Sequence, residues 1–199
     1  MRLIVGLGNP GAEYEQTPHN MGYLAVDVLA ERAGVEMRNR RGRALTARAR
    51  IGDEEVLLVK PETFMNLSGN SVRELAAQLE AEGGFEAGRD LIVIYDELDF
   101  PLGTVRIRER GSSGGHNGAE SVIGAVGPEF VRIRVGIGPE HEVSDGAKYV
   151  LTTWKKKDLA AVGEALERAA DAAEMIVKQG TAAAMNRFNR RDDGTPAQE

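Results

Sequence analysis

The chain has 199 residues, 42% of them apolar and 28% charged, which suits one soluble globular domain with a sizeable core. It has no cysteine, which excludes a disulfide framework, a thiolate metal site and a Cys nucleophile. The net charge of −6 argues against a uniformly basic surface. No stretch approaches the ~18 apolar residues of a membrane span, and the start MRLIVGLGNP lacks the core of a secretory signal, so a cytoplasmic protein is expected.

In chain order, Arg2–Leu7 reads as a short apolar strand and Leu24, Ala25, Val28 and Leu29 as a helix from about Met21 to Ala33, with Asn20 placed to cap it. Leu45–Ile51 and Glu55–Lys60 flank Gly52-Asp53, a hairpin signal. Val72, Leu75, Ala76 and Leu79 mark a second helix that stops by Gly83-Gly84. Leu91–Tyr95, LIVIY, is a continuous apolar run of strand length, the pattern of a central strand buried on both faces. Thr104–Arg108 and Val131–Ile137 are further strands, with a short helix between them over His116–Ala125. Leu159, Val162, Leu166, Ala169, Ala173 and Ile176 stripe a long helix, and Ala182–Phe188 forms a last short one. Strands and helices interleave but include hairpin-like pairs, so the expectation is a single α/β domain over residues 1–190 with a mixed sheet flanked by helices. Residues 191–199 form a polar tail expected to be disordered.

The stretch VGLGNPG has the G-x-G-x-x-G spacing of a dinucleotide-binding loop. A Rossmann site also needs a helix directly after the loop and a ribose-binding acid ~20 residues on. Here Pro10 removes a loop N–H, Glu13 and Glu15 place negative charge at the pyrophosphate position, and Pro18 interrupts the next segment. No acid closes a second strand at the required distance. The stretch is better read as a strand followed by a glycine turn that delivers Asn9 to a cleft.

Other chemistry-bearing residues also sit at element junctions, where α/β proteins place their ligand sites. His19 and Asn20 lie in TPHN, Met65 and Asn66 in TFMNLSG, Asp96 directly after LIVIY, and His116 and Asn117 after SSGG. There is no Cys nucleophile for an acyl-enzyme and no H-E-x-x-H pair for zinc. A His and an Asp suffice for another route: the carboxylate orients the imidazole, which takes a proton from water, while Asn amides hold a carbonyl and its oxyanion. Cationic side chains cluster at Arg38–Arg50, at Arg106, Arg108 and Arg110, at Arg132 and Arg134, at Lys155–Lys157 and late in the chain. Such local fields can steer an anionic ligand to an acidic protein.

The segments VGLGNPG-x-x-Y, TPHNMG, KPETFMNLSG, YDELD, GGHNG, RIRVGIG and AAAMNRF stand in the order found in bacterial peptidyl-tRNA hydrolase, and the chain resembles that family from Arg2 to about Phe188. The resemblance implies a phosphorylase/hydrolase-like α/β domain with a mostly parallel sheet, acting as a monomer without metal or cofactor. It implies cleavage of the ester between a peptide and the 3′ ribose of tRNA, which recycles tRNA after abortive translation. His19 would be the general base and Asp96 its orienting partner. Asn9, Asn66 and Asn117 would bind peptide, tRNA end or water, Met65 would line the cleft, and Tyr14 and His116 would support it. Arg106, Arg108 and Arg134 would meet tRNA phosphates. Pro18 stands where the family commonly has a basic residue, and Ala119-Glu120 where Leu and a basic residue are frequent. The alternatives are an RNA-binding relative without catalysis, which an intact His19 and Asp96 disfavour, and the oxidoreductase already set aside.

Overall fold

The computed structural model describes residues 1–190; the expected disordered tail lies outside them. Seven strands form one sheet: β1 Arg2–Gly6, β2 Asn39–Arg41, β3 Ala44–Ile51, β4 Glu54–Pro61, β5 Leu91–Pro101, β6 Val105–Arg110 and β7 Glu129–Gly138. The helices are α1 Met21–Arg32, α2 Ser68–Glu82, α3 Ala87–Asp90, α4 Asn117–Val126, α5 Gly146–Tyr149, α6 Leu159–Gln179 and α7 Thr181–Phe188. The sheet order is β2-β3-β4-β1-β5-β7-β6. The four central strands, β4, β1, β5 and β7, run parallel, and antiparallel strands close both edges.

LIVIY explains the layering. Ile92 and Ile94 point into a core shared with α1, α6 and α7, whereas Leu91, Val93 and Tyr95 point into a second core with α2 and α4. An all-apolar strand is what a sheet covered on both faces requires. β5 continues past Tyr95 to Pro101; Asp96 is still in register opposite Val135, and the register becomes irregular only between Glu97 and Pro101. The edge strand β6 does not present a bare ladder, because the Asn189 side chain accepts from Ile107 N–H and donates to Ile107 C=O.

The glycines of VGLGNPG serve a different purpose from the one expected. Only Gly11 has a positive φ, 122°. A Cβ on Gly6 would run into the carbonyl oxygen of Gly22, and one on Gly8 into the Tyr23 ring. Gly22 itself faces the Leu7 backbone and the Ile94 carbonyl. Gly6, Gly8 and Gly22 therefore let the start of α1 lie directly on the ends of β1 and β5, which Leu7 N–H to Ile94 C=O and Tyr23 N–H to Leu7 C=O then lock.

The cationic stretch Arg38–Arg50 contains β2, which the sequence pattern did not mark, and most of its charge is already matched. Arg38 pairs with Glu36, Arg40 with Glu62, Arg41 with Glu82 and Arg43 with Glu74.

Gly22→Ala should destabilise the protein by about 3 kcal/mol or block folding, since overpacking against backbone has no side chain to move aside. Gly163→Ala, at a helical position with open space around it, should stabilise by about 0.5–1 kcal/mol. Denaturant midpoints of the two variants check both signs.

Candidate active site

The site assembles at the carboxyl ends of β1 and β5, the crevice position of α/β sheets. Asp96 is 3% exposed and holds two imidazoles at once. His19 Nδ1 lies 3.1 and 3.0 Å from its two carboxylate oxygens, and His116 Nε2 lies 2.8 Å from Oδ1. The two rings are 4.7 Å apart, and His116 also leans on Tyr95 at 4.9 Å. Burial works against the Asp96 charge. The electrostatic attraction and hydrogen bond of His116, then those of His19, outweigh it and hold the carboxyl well below the usual carboxylate range.

The ring orientations can be read from their other partners. His116 caps α4: its Nδ1 accepts from the Gly118 and Ala119 N–H groups, both at 3.1 Å. Those donors belong to a helix start that needs an acceptor, so the proton of His116 resides on Nε2 and is donated to Asp96. Asp96 also accepts a hydrogen bond from His19 Nδ1–H, which leaves the His19 Nε2 lone pair unspent. His19, Asp96 and His116 each offer a potential metal ligand, with those atoms within 4.8 Å of one another. A protonated His116 Nε2 is a donor, however, and that argues against ligation by this set.

Around this triad a second set of bonds fixes the loop after β1. Asn20 does not cap α1. Its Oδ1 accepts the Asn9 N–H at 2.9 Å and its Nδ2 donates to the Asn9 carbonyl at 3.0 Å. The Asn9 side chain is thereby aimed at the next element, where its Oδ1 accepts the Met65 N–H at 2.8 Å. Asn9 Nδ2 makes no hydrogen bond among the described residues. Met65 is buried, and its sulfur packs where a Cβ on Gly118 would stand. Asn66, in the turn Met65–Leu67, and Asn117, the first residue of α4, are exposed beside Met65 and His116, with both amides unengaged among the described residues. Tyr14 is half-buried in the turn before Pro18, and its phenol has no hydrogen-bond partner among the described residues. The His19 N–H donates to the Val150 carbonyl at 2.9 Å.

The arginines expected to meet phosphate lie farther along the sheet. Register places Arg106 opposite Arg134 and Arg108 opposite Arg132, so four guanidinium groups share one face of the β6–β7 edge. Arg132 is no surface cation: it is 1% exposed, binds the Ser112 and Pro128 carbonyls and stacks over Phe130 at 4.1 Å. Arg106 binds the Phe188 carbonyl, while Arg134 lies over Phe100 and 3.5 Å from Glu97. Arg108 is half-buried. His141 is exposed on the loop after β7. Asn20 and Glu97 stand inside TPHNMG and YDELD with no role assigned to them from the sequence, the Val150 carbonyl carries no side-chain signal, and pairing across the fold is what reveals all three.

A mixed α/β sheet bearing a carboxylate-oriented histidine, with unengaged amides on the neighbouring turns and helix starts, has the equipment of a hydrolytic enzyme. A family model described as peptidyl-tRNA hydrolase matches residues 3–196. Peptidyl-tRNA hydrolase of Koribacter versatilis is 55% identical over 97% of this chain and 94% of its own length, and that of Acidobacterium capsulatum 50% identical over 99% and 100%. The crystal structure of peptidyl-tRNA hydrolase from Acinetobacter baumannii superposes with a TM-score of 0.85 at 33% identity, covering 95% of this chain and 94% of that one. The chain belongs to the peptidyl-tRNA hydrolase family.

The pH dependence of stability follows from Asp96. Its folded-state pKa lies below the unfolded one, so its contribution is present above the unfolded value, ~4, and is lost as pH falls toward the folded value. In urea titrations between pH 5 and 2, wild type should lose up to about 1.4 kcal/mol per pH unit from this group. Asp96→Asn should show a flatter profile over the same window.

Proposed function

We propose that His19 activates water to hydrolyse the ester joining the peptide to the 3′ ribose of peptidyl-tRNA, with no metal in the step. The single observation that carries this reading is the His19 Nδ1–Asp96 contact at 3.0 Å, which commits one ring nitrogen and leaves the other as base. Nε2 takes a proton from water as the oxygen attacks the ester carbonyl carbon. Asp96 stays ionised and stabilises the imidazolium. The tetrahedral intermediate collapses with loss of the 3′ ribose oxygen, which takes the proton back from Nε2. An ester needs no stronger help, because its leaving group is far better than an amine.

Asn9 Nδ2 and the amides of Asn66 and Asn117 are donors for the peptide backbone and the developing oxyanion. Met65 lines the cleft between them, and Tyr14 and His116 support it. Arg106, Arg108 and Arg134 meet tRNA phosphates, contacts that position the RNA without reading its sequence. The protein acts in this reading as a cytoplasmic monomer that returns tRNA to translation. Among the described residues no helix is long and apolar enough to cross a membrane.

The decisive assay offers purified protein an N-acetylated aminoacyl-tRNA and its free-amine counterpart, with EDTA present. Release should occur from the blocked substrate and little from the free one. His19→Ala should lower kcat by about 10²–10⁴-fold and Asp96→Asn by a comparable or smaller factor. Loss of activity in EDTA with recovery on adding a divalent metal would overturn the metal-free step. Tight tRNA binding with no cleavage by wild type would favour a non-catalytic RNA-binding protein.

Arg108→Ala and Arg134→Ala should raise KM several-fold at nearly constant kcat. Each should also make log(kcat/KM) less steep against log[salt] by up to about one unit, because each phosphate contact releases about one counterion. A change in kcat alone would place these arginines elsewhere in the mechanism.

A further inference from the structure

The backbone of the His19 turn is held by a segment that belongs to neither of the strands forming the site. His19 N–H donates to Val150 C=O at 2.9 Å, and four residues later Trp154 N–H donates to Gln16 C=O, also at 2.9 Å. The first of these donors opens the turn that leads into α1, where N–H groups lack partners within the helix. Residues 150–154 thus form a strap across Gln16–His19. The strap lies in the long connection between β7 and α6, and from Gly138 to Ala161 that connection has one buried residue, Trp154, 9% exposed. Its ring packs in the core shared by α1 and α6. A cavity of about 960 Å³, lined by Pro18, Leu102 and Tyr149 among others, flanks the strap, so the turn has open space on that side. The buried indole Nε1–H has no hydrogen-bond partner among the described residues, which is uncommon for a buried Trp. The side chain therefore holds the strap by packing alone.

We propose that Trp154 is a positioning residue for the catalytic base: by plugging the β7–α6 connection into the core it fixes the two main-chain bonds that set where His19 stands. This inference rests on His19 being the base. Asp96 orients the ring about one nitrogen, and the Asn20–Asn9 clamp fixes the following residue. The strap supplies the remaining constraint, on the His19 main chain itself. Removing the plug leaves both bonds possible but exposed to competition from water, and a base displaced by about 1 Å loses about 10²-fold in rate. Phe keeps the packing and forfeits no hydrogen bond, since Nε1 makes none.

The test is steady-state kinetics on N-acetylated aminoacyl-tRNA together with ¹H–¹⁵N imidazole spectra of the substrate-free protein. Trp154→Ala should lower kcat about 10–100-fold with KM within about twofold of wild type, and Trp154→Phe should restore kcat. In Trp154→Ala the ring signals of His19 should shift or broaden while those of His116, held by α4, stay in place. A folded Trp154→Ala with unchanged kcat, a loss confined to KM, or unchanged His19 signals would each overturn the proposal. Should Trp154→Ala fail to fold, Trp154→Leu keeps an apolar plug of smaller size and is judged by the same readouts. Full activity in His19→Ala would instead overturn the base assignment beneath it.

Discussion

Everything at the site depends on one buried carboxylate that stays charged. Placing Asp96 at the exit of a strand buried on both faces removes it from water, and an unpaired carboxylate there would take up a proton. Two imidazoles prevent this, approaching from α4 and from the turn before α1. The arrangement is asymmetric in a useful way. His116 spends both ring nitrogens, on Asp96 and on the start of α4, and so is a fixed part of the frame. His19 spends only one. The same carboxylate thus anchors one histidine as structure and poises the other for proton transfer.

That geometry requires the start of α1 to come unusually close to the sheet, and glycine makes the approach possible. With Gly6 against Gly22 and Gly22 against the Leu7 backbone, the helix sits on strand ends with no side chain between. The approach places Asn20 where it can grip both backbone polar groups of Asn9, and Asn9 where its side chain reaches Met65. Three glycines, two asparagines and a carboxylate therefore form one continuous construction. A change at Gly22 is expected to act on catalysis through position as well as on stability.

Much of this could be read from the sequence. Alternation and apolar runs located every long strand and helix, because burial on one or two faces imposes a period that survives in the residue order. The junction residues stood out because polar groups at strand ends have few structural reasons to be Asn, His or Asp. What stayed hidden were facts of pairing. The glycine spacing resembled a cofactor loop because both solutions need close backbone approach, here by a helix in place of a pyrophosphate. Asn20 looked like a helix cap because capping is the commoner use of Asn before a helix, whereas its partner is eleven residues away. Arg132 looked exposed because charged residues seldom lie fully buried. It is paid for by two carbonyls and the Phe130 face.

The β6–β7 edge shows how charge without local benefit becomes intelligible. Like charges directly opposite on paired strands are destabilising, yet Arg106 faces Arg134 and Arg108 faces Arg132. The fold moderates this cost unevenly. Arg132 is neutralised by backbone dipoles and buried, and Arg134 has a loose 3.5 Å contact with Glu97 and the Phe100 ring. Arg108, by contrast, makes no hydrogen bond or ion pair among the described residues. A self-contained protein would gain by replacing one member of each pair with an acid. Arg132 is spent inside the protein, so Arg108, half-buried and without an ion-pair partner among the described residues, is the member of this ladder whose charge the fold leaves unmatched, and the proposed phosphate contact rests chiefly on it.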